Sequence, residues 1–286
     1  MKILLLQQQI SRMLRLSLKC SRILKGKIRI MIDKIAGYVR RCIDDYNMIE
    51  QGETITVGVS GGKDSMVLLC VLASISRYHP KNFKVHAVTL DMGFGEERGT
   101  ESLSSDKKTE EPSPCLLPIA KLCESLDVPF TLKRSDIASI VFEHREEKNP
   151  CSLCATMRRA ALCNMVKELG ISKIALAHHY DDAVETFLLS LIYEGRISCF
   201  RPVTYLDRTE VTQIRPMLYV QEKAIINYVR EVGMEIVKNP CPMNGVSKRE
   251  EVKNLLKTLG TEHKDIKSKI FGAIQRLPLE GWQSGI

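Results

Sequence analysis

The sequence is poor in aromatic side chains, which make up 6% of its 286 residues and include a single Trp. A nucleic-acid surface built on successive base-stacking rings is therefore not written into it. No run of about 18 apolar residues occurs, so a long transmembrane helix is excluded. The early Leu4–Leu6 run is too short for a signal peptide, and basic residues follow it where a small-residue cleavage site belongs. Acidic residues are missing from the first thirty positions, which carry Lys2, Arg12, Arg15, Lys19, Arg22, Lys25, Lys27 and Arg29. The whole net charge of +8 sits there, because the rest of the chain holds 34 basic and 34 acidic residues. A body of zero net charge can meet nucleic acid only through local basic patches. The basic head, residues 1–30, reads as a dispensable extension with Met31 as a natural start; an RNA-binding arm is the other reading. The single body then spans 31–286.

Disulfide patterning is also missing. Ten cysteines occur at irregular spacing, with one C-x-x-C. That is the usage of a reducing compartment, so we expect a cytoplasmic protein in which clustered cysteines serve metal or catalysis.

What is present is periodic. Ile32, Ile35, Ala36, Val39, Ile43 and Tyr46 recur at helical spacing and predict a helix through about Asn47. Thr54–Val59 is a short β-branched run. Strand patterns recur at Val85–Leu90, Pro129–Leu132, Lys173–Ala177 and Val211–Ile214. Helices are expected over Met66–Ile75, Cys115–Leu126, Asp136–Glu143, Cys154–Leu169, Asp181–Tyr193 and Gln221–Val232, then a charged helical tail from Ser247. Asp91–Pro114 reads as a loop. Alternating strands and helices predict an α/β fold: a mostly parallel sheet with helices on both faces. Ligands in such sheets lie beyond the carboxyl ends of the strands.

Two motifs fall at such ends. Ser60–Ser65, SGGKDS, follows the first strand and opens a helix. Gly61 and Gly62 allow close backbone approach, and the helix start suits a phosphate. Lys63 adds a charge, while Ser60 and Ser65 add hydroxyls. Asp64 fits an anion site if a divalent cation bridges carboxylate and phosphate. The loop is not a Walker A motif, since Val57 and Asp64 stand where glycine and Ser/Thr belong. The second motif is Ala177–Thr186, AHHYDDAVET, where the fourth strand becomes a helix. Asp181 and Asp182 lie at a helix start, with Glu185 placed to complete a capping box. Capping explains one carboxylate; the pair suggests Mg2+ binding or catalysis. His178 and His179 are weaker candidates.

The third feature is a set of three cysteines. Cys151 and Cys154 lie in NPCSLCATMRR, and Cys241 in a second NPC. A structural zinc site wants four ligands, with Cys163, Cys199 or His178 as fourth candidates. An iron–sulfur cluster usually takes four thiolates, and with three one iron stays open. Cys20, Cys42, Cys70, Cys115, Cys123, Cys163 and Cys199 fall mostly in apolar helical patterns and read as small hydrophobes.

SGGKDS resembles the PP-loop of the ATP pyrophosphatases, and HH-x-DD-x-x-ET the signature of tRNA lysidine synthetases and tRNA thiolation enzymes within that family. Joined by the C-x-x-C, the adjacent Arg158 and Arg159 and the late cysteine, these motifs make the chain similar to the TtcA-like tRNA 2-thiolation family from about Met31 to Arg276. The resemblance implies the PP-loop ATP pyrophosphatase fold, of the adenine nucleotide alpha hydrolase-like (HUP) class. It implies ATP and Mg2+ at Ser60, Gly61, Gly62, Lys63, Asp64, Ser65 and His178. It also implies a [4Fe-4S] cluster on Cys151, Cys154 and Cys241, and catalytic Asp181, Asp182, Arg158 and Lys63. The implied reaction adenylates a pyrimidine C2 oxygen of tRNA and replaces it with sulfur, giving 2-thiocytidine. The implied partners are tRNA and a sulfur donor such as a cysteine desulfurase; no membrane is involved, and homodimerisation stays open. One departure leaves the substrate open: the late site lacks a second C-x-x-C. The zinc ribbons of the 2-thiouridine branch are also absent. A lysidine-synthetase or amidoligase type of enzyme with zinc on the cysteines is the alternative. Candidate RNA-phosphate contacts are Arg158, Arg159, Arg196, Arg201, Lys248, Arg249, Lys253 and Lys257.

Overall fold

The computed structural model describes residues 26–94, 116–144, 150–238, 240–241, 248–277 and 279–282. Cys20, Cys115 and most of the basic head and of the Asp91–Pro114 segment lie outside the described residues. Helix α1 is described over 26–45 and is thus already helical five residues before Met31. Its Ile28 and Met31 pack on the core, and Lys27 pairs with Glu231 at 2.9 Å.

The other elements follow in order: β1 (Thr54–Gly58), α2 (Lys63–Ser76), β2 (Lys84–Asp91), α3 (Leu117–Leu126), β3 (Phe130–Arg134), the short α4 (Ile137–Ser139) running into a π turn (Ile140–His144), and α5 (Pro150–Glu168). Then come β4 (Lys173–Ala175), α6 (Tyr180–Tyr193), β5 (Val203–Leu206), β6 (Val211–Ile214), α7 (Glu222–Val232), α8 (Lys248–Glu262) and α9 (Ile266–Arg276). The six strands form one sheet in the order β3-β2-β1-β4-β6-β5. Every pairing is parallel except β5 with β6. The expected parallel sheet is therefore present, with one antiparallel edge strand that the sequence pattern does not predict. β5 is four residues, VTYL, with no fully buried position, so it has no apolar alternation to read.

The sheet is covered on both faces because its strands alternate. Val85 and Ala87 of β2 face the larger core with α1, α2 and α7, whereas Val88 faces a smaller core with Cys163, Met165 and Val166 of α5. Helix α2 is buried at nearly every position from Ser65 to Ile75. Each fully buried aliphatic side chain there contributes about 1.5–3 kcal/mol of burial free energy. The charged tail folds as α8 and α9, which pack on α6, and the lone Trp282 is a core plug, 1% exposed, donating from Nε1 to the Phe200 carbonyl at 2.8 Å.

Strand order reverses direction around β1, which lies between β2 and β4. The carboxyl ends of β1 and β4 flank that switch point, where open α/β sheets bind ligands. SGGKDS leaves β1 and HHYDD leaves β4, so the fold brings the two motifs to one crevice.

Candidate functional site

Ser60–Ser65 is a tight turn held by its own hydroxyls. The Ser60 N–H donates to Ser65 Oγ at 3.1 Å, and Ser65 Oγ donates to the Gly62 carbonyl at 3.0 Å. Gly61 adopts φ +79°, a left-handed conformation that glycine alone takes without strain. Gly62 is the N-cap of α2, and no side chain caps that end. Its first amides and the positive end of the helix dipole are thus left for an anion.

Lys63 Nζ lies 2.9 Å from both Asp64 Oδ2 and Glu222 Oε1. Burial opposes its charge, but the bonds to Asp64 and Glu222 outweigh that and raise its pKa. Asp64 Oδ1 is buried with no hydrogen-bond partner; its neighbour is His179 Nε2 at 3.7 Å. A carboxylate oxygen left bare beside an anion-binding helix start fits a divalent cation.

The HHYDD motif is a capping box of unexpected membership. His179 is the N-cap of α6: its N–H donates to Asp182 Oδ2 at 2.9 Å, and its Nδ1 accepts from the Asp182 N–H at 3.4 Å. Asp182, not Glu185, completes the box, because the helix starts at Tyr180 and its third residue is Asp182. With Nδ1 engaged in the cap, Nε2 is the ring nitrogen that faces Asp64.

The two aspartates differ. Asp181 is buried, and protein donors hold both its oxygens: the Glu222 N–H at 2.7 Å and Lys267 Nζ at 2.6 Å. Burial works against its charge, but these donors hold it below the usual carboxylate range. Asp181 thus ties α6 to the start of α7 and to α9. Asp182 is more open and bonds Arg249 Nη1 at 3.2 Å through Oδ1. Glu185, 1% exposed, meets Arg249 at 3.3 Å and Lys253 at 3.9 Å. Burial pushes its pKa up to about 7 against the pull of these cations.

His178 packs against an aromatic ring. Its ring lies 5.0 Å from Phe200, over which the Arg215 guanidinium also sits at 5.1 Å. Burial, then Arg215, push the His178 pKa down to about 4, so the ring is neutral at neutral pH. Its Nδ1 is buried without a partner.

The cysteines come from two segments. Cys151 and Cys154 ride the first turn of α5, which opens at Pro150 and not at Cys154; proline is well suited to a first helical turn. Cys154 lies close enough to Cys151 and Cys241 for their charges to act on it, with Arg158 opposing them. Burial leads these effects and leaves the Cys154 thiol raised. Among the described residues no three His, Cys, Asp or Glu side chains converge on a point that a single metal ion could occupy. The fourth-ligand candidates lie elsewhere: Cys163 is in the small core, the Cys199 Sγ faces the Ala183 carbonyl, and His178 faces Phe200.

Residues 33–258 match the model of the PP-loop domain. A tRNA-cytidine(32) 2-sulfurtransferase from Pelobacter propionicus is 34% identical over 242 residues, 84% of either chain. One from Bordetella petrii is 36% identical over 248 residues, covering 85% of this chain and 71% of its own. The chain belongs to the TtcA-like tRNA 2-thiolation family of PP-loop enzymes. Among solved structures, the U34-tRNA thiolase NcsA from Methanococcus maripaludis with its [4Fe-4S] cluster shares the fold. It superposes with a TM-score of 0.68 over 87% of this chain and 79% of that one, at 22% identity.

Within this family fold, Arg158, Arg159, Arg196 and Arg201 present exposed side chains, as an RNA contact requires. Arg249 and Lys253 are instead turned onto α6. Glu222, Lys267 and Arg249 are site residues that sequence reading does not single out as partners of the motifs. No helix among the described residues is long and apolar enough to cross a membrane.

Proposed function

We propose that this protein is an ATP-dependent tRNA sulfurtransferase that forms 2-thiocytidine. Its relatives' activity supports the substrate class. In this reading ATP lies along the β1–β4 crevice, its pyrophosphate end on the Gly61–Gly62 backbone and the α2 start, where Lys63, Ser60 and Ser65 meet it. The bare oxygen of Asp64, with Asp182, would hold Mg2+. The cytidine C2 oxygen forms a bond to the α-phosphorus as the bond to pyrophosphate breaks. Sulfide then adds to C2, the C2–O bond breaks, and AMP leaves with the electron pair; no oxidant or reductant enters. Arg158, whose charge acts on Cys154, would offset the charge that develops in adenylation.

The observation that carries the reading is that Cys154, on α5, senses both Cys151 and the distant Cys241. The [4Fe-4S] cluster of the NcsA thiolase that shares this fold favours a cluster over zinc on these thiols. Cys151, Cys154 and Cys241 would hold a [4Fe-4S] cluster. When bound, the cluster supplies an iron open to a sulfur ligand, fed by a sulfur donor.

The test is anaerobic purification followed by metal analysis, then incubation with unmodified tRNA, ATP, Mg2+ and sulfide. About four irons per chain and new 2-thiocytidine in digested tRNA are expected. Stoichiometric zinc with no thiolated nucleoside defeats the reading, and 2-thiouridine alone reassigns the base.

A further inference from the structure

The segment that carries Cys241 touches the nucleotide motifs on both sides of the cysteine. Four residues before it, the Val237 N–H donates to the Gly61 carbonyl at 3.0 Å. The contact is close: a Cβ on Gly61 would lie 2.5 Å from Val237 Cβ and Cγ2. The missing side chain at Gly61 is therefore what lets this segment approach the loop. Eight residues after Cys241, Arg249 spreads its fork over α6. Nη1 donates to Asp182 Oδ1 at 3.2 Å and Glu185 Oε2 at 3.3 Å, and Nη2 to Thr186 Oγ1 at 3.3 Å. Asp182 in turn fixes His179, which faces Asp64 of the loop.

We infer that Arg249 is a positioning residue that couples the nucleotide site to the placement of Cys241. The inference rests on the proposed ATP site. A mere staple between α8 and α6 needs only charge, which a lysine supplies. Three acceptors on one helix face need a planar fork, which lysine lacks. Asp182 is the shared element: its conformation is set by Arg249 on one oxygen and by the His179 cap on the other. A nucleotide and cation arriving at Asp64 and Asp182 must shift that balance, and linkage makes the effect reciprocal.

The test uses the full-length, cluster-free chain, with AMP-PNP and Mg2+ as the probe. Iodoacetamide labelling of Cys241, followed by peptide mass spectrometry with Cys151 as internal reference, reads its placement. Calorimetry reads AMP-PNP affinity. In the wild type, saturating AMP-PNP should change the relative Cys241 labelling rate at least fivefold. In Arg249→Ala the ratio should fall to near one while AMP-PNP still binds. Should the alanine variant not fold, Arg249→Lys is expected to lose most of the effect with its melting temperature kept. An undiminished effect in either folded variant overturns the inference, because the nucleotide then shields Cys241 directly. The inference also fails if AMP-PNP binds the wild type without changing Cys241. Absence of AMP-PNP binding to the wild type would overturn the functional reading itself, and this inference with it.

Discussion

The nucleotide crevice and the cysteine trio lie side by side but are built in different ways. The crevice is finished by the fold: hydroxyls close the Ser60–Ser65 turn, His179 and Asp182 cap each other, and Lys63 is already paired with Asp64 and Glu222. The trio is not. Cys151 is exposed on a first helical turn, and the Cys154 thiol is raised, hence protonated, at neutral pH. In the proposed reading, a site that joins this thiol to cysteines of two segments is completed by the group it binds, and binding must release the Cys154 proton. The difference sets a half closed by its own hydrogen bonds against a half that, on the proposed function, depends on loading.

The largest expected effect separates the halves. Cys241→Ala should lose iron and bring tRNA thiolation to background while AMP-PNP affinity, read by calorimetry, is unchanged. Lost nucleotide binding would mean that the trio holds the crevice together. Lys63→Ala should do the reverse. It keeps the iron content and slows tRNA-dependent pyrophosphate release about 100- to 1,000-fold, the range seen when one preorganised charge-stabilising donor is removed.

How much of this is legible in the sequence follows from range. The five strands with apolar runs and both motifs at strand ends are local patterns, and they reappear in the structure. The start of α5 is misplaced because the apolar periodicity begins only after the cysteines, although Pro150 signals the true first turn. The capping box is misassigned because aspartate is a commoner N-cap than histidine, so Asp181 draws the eye while His179 does the capping. Asp181 reads as catalytic by its motif, yet it is held by Lys267 and the Glu222 amide. Those partners lie far along the chain, and no spacing rule connects them. The same applies to the bonds from Arg249 to Asp182, Glu185 and Thr186, which join α8 to α6.

Gly61→Ala tests where the two halves touch. Alanine at φ +79° costs about 1–2 kcal/mol, and the overlap with Val237 adds about 1–3 kcal/mol. We expect a total near 3 kcal/mol, read as a lowered denaturation midpoint. Iron content should drop with it, because Val237 leads into Cys241. Full iron retention with an unshifted midpoint would make the halves independent.

The smallest effect concerns Glu185, which lies behind the crevice among Lys253, Asp182, Arg249 and Glu222. Its pKa rises from 4.5 to about 7 on folding, chiefly through burial. Between these values the folded chain binds more protons than the unfolded one, so stability falls as pH rises. The contribution is fully present below pH 4.5 and is lost as pH passes through about 7. From pH 5 to 7 the change is on the order of 2 kcal/mol, at 1.36 kcal/mol per pH unit of full imbalance. Glu185→Gln, which cannot titrate, should flatten the stability–pH curve over that interval. Denaturant titrations at pH 5, 6 and 7 measure the two slopes. Equal slopes would mean that Arg249 and Lys253 keep Glu185 ionised throughout. The contact between α8 and α6 would then be a permanent ion pair, and the crevice would be as rigid behind the motif as in front of it.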